Sequence, residues 1–66
     1  MYLKTSAKLN QRNEPNENAK IIQTIPRNNK VKWSGYVAEV NNKQWYLVEY
    51  NNHLGFCLST YLKEVK

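Results

Sequence analysis

Cys57 and His53 lie four residues apart and are the one pair whose types could support nucleophilic catalysis. A reactive cysteine needs a depressed pKa, supplied by nearby positive charge or a helix N-terminus. No charged residue adjoins Cys57, and its alternation places it on an inward face, where a thiol is inert. His53 follows Asn51-Asn52 in a turn-like segment and is expected to face solvent. These two are also the only soft metal ligands, too few to complete a structural zinc site. The chain has no Asp, no paired acids at catalytic spacing and no phosphate-binding loop. No catalytic residue, metal or cofactor is expected, and the chain reads as a non-enzyme.

The aromatic residues offer a different chemistry, that of recognition. Strand-like alternation over residues 44–50 puts Tyr46, Val48 and Tyr50 on one face and Trp45, Leu47 and Glu49 on the other. Trp45 therefore points away from the expected core set. Trp33 and Tyr36 are the most individual feature. Exposed, Trp33 would mark a specialised contact surface; buried, it would be additional core. Near the start, Asn10 and Arg12 lie in a polar stretch beside Glu14 and Glu17. They could hydrogen-bond a peptide backbone, or Arg12 could simply hold its own loop together through Glu14, Glu17 or a carbonyl.

The elements that must position these groups are confined to one small domain spanning residues 1–66. A chain of 66 residues buries only about 60% of the surface its unfolded form exposes, which leaves no room for both a core and an enclosed pocket. The longest uninterrupted apolar run is four residues, Trp45 to Val48, against the roughly 20 a membrane-spanning helix needs. The opening Met-Tyr-Leu-Lys-Thr-Ser lacks the apolar region of a signal peptide. A net charge of +5 suits an anionic partner. Yet the lysines, at 4, 8, 20, 30, 32, 43, 63 and 66, are scattered as on a solvated surface. Only Lys30 and Lys32 beside Trp33 resemble a basic-aromatic stripe, so single-stranded nucleic acid is a disfavoured ligand.

Residues 5–20 are polar, whereas short apolar bursts recur from Ile21 onward without a helical period. Asn-Asn pairs at 28–29, 41–42 and 51–52 punctuate these bursts, and Asn tolerates the left-handed backbone that tight hairpins require. Strands are expected at Ile21 to Ile25, Val31 to Val40, Gln44 to Tyr50, Leu54 to Leu58 and Leu62 to Val65, with a bend or bulge at Gly35. Ser59 to Tyr61 reads as a turn or a single 3₁₀ turn. Five or six short strands at this spacing predict an all-β fold, a small antiparallel barrel.

Several segments carry a resemblance in order: Leu9-Asn10-Gln11-Arg12 followed by Pro15; Lys20-Ile21-Ile22 with Ile25; Asn28 to Val31; Trp45-Tyr46-Leu47-Val48; Gly55-Phe56-Cys57; and Ser59-Thr60-Tyr61-Leu62. Over about residues 9–62 the chain resembles the bacterial SH3 (SH3b) family. It departs from that pattern in a longer Val31 to Trp45 segment, which inserts Trp33 and Tyr36, and in Cys57, which replaces an aliphatic core residue.

The resemblance implies an SH3-like barrel serving as a recognition module within a larger surface protein or cell-wall hydrolase. It implies that Trp45 lines a shallow groove with Tyr61 of the closing turn, that Phe56 completes the wall and that the Asn10 to Pro15 loop forms the edge. The alternative is that Trp45 and Tyr61 only cover the end of the barrel. The expected ligand is a peptidoglycan peptide at the cell envelope. A protein partner is the competing expectation, either an extended peptide or a neighbouring domain of the parent chain.

Overall fold

The computed structural model describes residues 1–65, so Lys66, one of the scattered lysines, lies outside the described residues. Seven strands and one 3₁₀ turn follow in order: β1 (Tyr2–Thr5), β2 (Leu9–Arg12), β3 (Ile21–Ile25), β4 (Lys30–Val40), β5 (Lys43–Tyr50), β6 (His53–Leu58), the 3₁₀ turn Ser59–Tyr61, and β7 (Leu62–Glu64). They form a single antiparallel sheet in the order β3-β2-β6-β5-β4-β1-β7, curled into a small barrel. The all-β expectation holds, with more strands than the sequence pattern suggested.

The hairpin turns follow from asparagine. Asn41 and Asn42 have φ of 52° and 64°, and Asn51 and Asn52 have 53° and 65°. Both central residues of each turn are left-handed, the backbone twist that matches the flanking strands. Each two-residue turn sets the register of its hairpin, so Val40 faces Lys43 and Tyr50 faces His53. In the third pair Asn28 alone is left-handed, at φ 65°. Gly35, at φ +94°, lies in the bulge of β4, where Ser34 to Tyr36 intervene between the pairs Trp33–Val48 and Val37–Tyr46.

Two strands correct the sequence reading. Residues 2–5 form β1, and residues 9–12, expected to be part of a polar loop, form β2. Asn10 and Arg12 are thus strand residues, not loop residues. Leu9 and Gln11 of β2 point inward and are buried. Because the inward residue next to Leu9 is Gln, an apolar alternation could not show itself.

The core consists of Leu3, Leu9, Ile25, Val31, Val48, Cys57 and Leu62, with Trp33, Tyr46 and Tyr50 packed against it. Cys57 is fully buried, as expected. Gln11 brings the amide group of its side chain into this interior. Its Nε2 donates to the carbonyls of Val48 at 3.0 Å and His53 at 2.9 Å. Val48 belongs to β5, beyond the neighbouring β6, and pairs there with Gly55. A Cβ on Gly55 would stand 2.8 Å from Gln11 Cγ, so the absent side chain gives Gln11 its passage across β6.

The two barrel ends differ. At one, Thr5 Oγ1 donates to the Pro26 carbonyl at 2.7 Å and accepts from the Asn29 amide at 2.9 Å, pinning the β3–β4 turn to β1. Tyr50 Oη adds a 2.9 Å bond to Asn29 Oδ1. At the other end, the 13–20 loop and the 3₁₀ turn frame a recess.

A groove over Trp45

Trp45 leaves β5 on the face opposite Val48 and is only 2% exposed. Ala38 stands beside it on β4 and Leu58 beside it on β6. It forms the floor of a groove of about 450 Å³ lined also by Lys8, Leu9, Asn10, Arg12, Tyr61 and Asn18. Trp45 also lines a smaller recess of about 140 Å³, with Pro15, Asn16, Val40 and Asn41. Glu17 borders both recesses and is ion-paired with Lys43, tying the 13–20 loop to the β4–β5 hairpin above the indole. That hydrogen bond, then the charge of Lys43, holds the Glu17 carboxyl below its ordinary pKa.

The groove is rich in donors. Among the described residues Trp45 Nε1 donates no hydrogen bond, yet it is not a buried unpaired atom, so it reaches the surface of the recesses that Trp45 lines. Buried indoles usually find an acceptor. Asn10 Oδ1 accepts from Thr24 Oγ1 at 2.9 Å, which leaves its amide N–H groups for the groove. Arg12 donates one hydrogen bond, Nη1 to the Ala19 carbonyl at 2.9 Å. The carbonyl alternative for Arg12 is therefore what the loop uses, and the remaining guanidinium N–H groups stay available. Lys8 adds a cation at the rim, and Tyr61, 40% exposed, supplies a flat amphipathic wall.

Of the sequence candidates, Trp45, Tyr61, Asn10 and Arg12 come together here, while Phe56, Trp33 and Tyr36 do not line this groove. Phe56 and Tyr36 meet edge to face, with ring centroids 6.2 Å apart at 67°. Tyr36 is 56% exposed. Trp33 is half-buried: it stacks on Tyr46 at 4.3 Å, and its Nε1 donates to the Tyr36 carbonyl at 3.1 Å. Both readings of Trp33 are thus met in part, since it packs on the core and keeps one edge outside. Lys8, Asn18 and Leu58 line the groove without having been singled out. Leu58 was recoverable, because the Asn51-Asn52 turn places it directly opposite Trp45.

The model of the bacterial SH3 domain family matches residues 7–63, and the chain belongs to that family. Among solved structures, NlpC2 from Trichomonas vaginalis is similar, with a TM-score of 0.76 and 23% identity. That likeness covers 98% of this chain and 23% of that one, so this chain spans about a quarter of the longer protein. No curated protein matches the chain. The family is one of noncatalytic binding domains, and the barrel is of the SH3-like kind. Among the described residues no helix is long and apolar enough to cross a membrane.

Proposed function

We propose that this domain is a noncatalytic module that holds an extended, acceptor-rich peptide in the groove over Trp45, the ligand being a peptide of peptidoglycan at the cell envelope. The observation that carries the reading is the convergence of donors. Trp45, Asn10, Arg12 and Lys8 all line one groove, and each carries N–H groups with no acceptor among the described residues. Backbone carbonyls and carboxylates are the groups that satisfy such a set, and wall peptides present both. The one acid at the rim, Glu17, is already matched by Lys43. Tyr61 adds contact area at low rotamer cost, as aromatic side chains do in shallow sites.

The test is an amide-shift titration of the labelled domain with soluble peptidoglycan fragments at about 0.15 M salt, where long-range attraction is screened. Saturating shifts at Trp45, Tyr61 and Asn10 are expected, with Tyr61→Ala weakening binding about tenfold, or about 1.4 kcal/mol. Silence at this salt and at lower salt would overturn the reading.

A second reading, packing against a neighbouring domain of a longer chain, is favoured by the Tyr36–Phe56 pair. Those rings and Leu54, which is 58% exposed, leave an apolar face outside the groove. Titration with flanking fragments of the parent protein would then shift these residues and leave Trp45 unmoved.

A further inference from the structure

Lysines that are scattered in the sequence meet on the sheet. Lys4 of β1 pairs directly with Lys30 of β4 on one side and with Lys63 of β7 on the other. The row Lys30–Lys4–Lys63 therefore crosses three adjacent strands, about 10 Å at the usual strand spacing. One step along, Lys32 pairs with Tyr2, and the Lys30 ammonium sits 4.5 Å above the Tyr2 ring. Like charges directly opposite each other destabilise a sheet. Two acids lie at the border: Glu49 opposite Lys32, and Glu64 lining a recess with Lys30. Neither forms an ion pair, since among the described residues the ion pair is Lys43–Glu17. The Lys4–Lys63 end has no acid opposite it in register.

We propose that this outer face of β4-β1-β7 is a second binding surface, for a linear polyol-phosphate polymer. It shares no residue with the groove lining and does not depend on what the groove holds. Lysine ammonium groups are compact point charges on flexible stems, suited to phosphates of variable position. A polymer carrying one negative charge per repeat can neutralise successive lysines of the row and relieve their mutual repulsion, releasing its counterions as it binds. Recognition of single-stranded nucleic acid relies on aromatic platforms for the bases. On this face the ring in register with the lysines, Tyr2, already lies beneath Lys30, and Tyr50, which borders a recess with Lys30 and Lys32, has its hydroxyl bound to Asn29. The surface thus reads phosphate charge rather than bases.

The experiment compares the wild-type domain with Lys4→Gln/Lys63→Gln and with Lys20→Glu. Both variants lower the net charge by two, but Lys20 is exposed elsewhere, at the end of the 13–20 loop. The probes are poly(glycerol phosphate) and oligothymidylate of equal charge. Wild type and Lys20→Glu are expected to bind poly(glycerol phosphate) similarly, with the double variant about tenfold weaker. The slope of log affinity against log salt should fall by roughly 1.4 in the double variant, about 0.7 for each lost contact. Its Tm should rise, because the cross-strand repulsion is gone. Equal weakening by both variants would reduce the effect to net charge and overturn the proposal. Tighter binding of oligothymidylate would reassign the face to nucleic acid, and no binding at low salt would remove the surface altogether.

Discussion

Gln23 Nε2 donates to Gln11 Oε1 at 2.7 Å and to the Tyr50 carbonyl at 2.8 Å, joining two strands of the barrel to a third through side-chain amides. With Gln11 Nε2 on Val48 and His53, both functional groups of the Gln11 amide are engaged inside the fold. Among the described residues no buried side-chain polar atom lacks a partner. Buried polar networks that are fully satisfied in this way specify a unique arrangement, and partial disruption is costly.

Gln11→Ala is therefore expected to lower stability by roughly 2 to 4 kcal/mol, combining stranded carbonyls with a cavity. Urea unfolding measures it. A loss below about 0.5 kcal/mol would mean that water replaces the amide without strain.

Gly55→Ala should be damaging for a related reason. The added methyl would lie 2.8 Å from the Arg12 carbonyl oxygen and 2.7 Å from Ile22 Cδ1, and the backbone contact cannot be relieved by a rotamer change. The expected cost is about 1 to 3 kcal/mol, the usual range for overpacking. Amide exchange should quicken first in β2 and β6, which the insertion pushes apart.

Burial pushes the Cys57 thiol from its ordinary 9.0 up to about 12. In the native state it should resist a disulfide reagent at pH 8 and react only after unfolding. The folded pKa lies above the unfolded one, so the thiol's contribution is fully present below pH 9 and is lost as pH rises toward 12. The stability advantage of the wild type over Cys57→Ala should thus shrink by about 1.4 kcal/mol per pH unit in that window. A constant difference from pH 8 to 11 would contradict the assignment.

The Glu17–Lys43 pair is half-exposed on both sides, and such pairs add little to stability. Lys43→Gln should leave the urea unfolding midpoint almost unchanged. It should nevertheless free the 13–20 loop above Trp45. In a Trp33→Phe background, acrylamide quenching of the remaining indole should increase, and unchanged quenching would show that the loop holds without the ion pair.

Much of this architecture was legible residue by residue. The Asn-Asn pairs announced the turns because few other residues accept left-handed backbone, and a two-residue turn sets the register of its whole hairpin. From that register Trp45, Leu58 and Ala38 become neighbours by counting. Membership of the bacterial SH3 family was legible in the ordered segments from Leu9 to Leu62. β2 was not, because its inward positions hold Leu9 and Gln11, and a buried glutamine is read as polar until its partners are known. β1 was missed because it pairs with β4 and β7, strands far along the chain, and a strand of four residues carries little pattern of its own.

The sequence by itself determined the hairpins, the inward face of β5 and β6, and the burial of Cys57, since each rests on local backbone preference or on strand alternation. Tertiary structure alone decided the rest. It buried Trp45 beneath the 13–20 loop, separated Phe56 and Tyr36 from the groove, passed Gln11 over Gly55, and gathered Lys4, Lys30 and Lys63 into one row. Each of these depends on pairing between strands distant in the chain. Such pairing is selected by the burial of the whole core, and no local pattern encodes it.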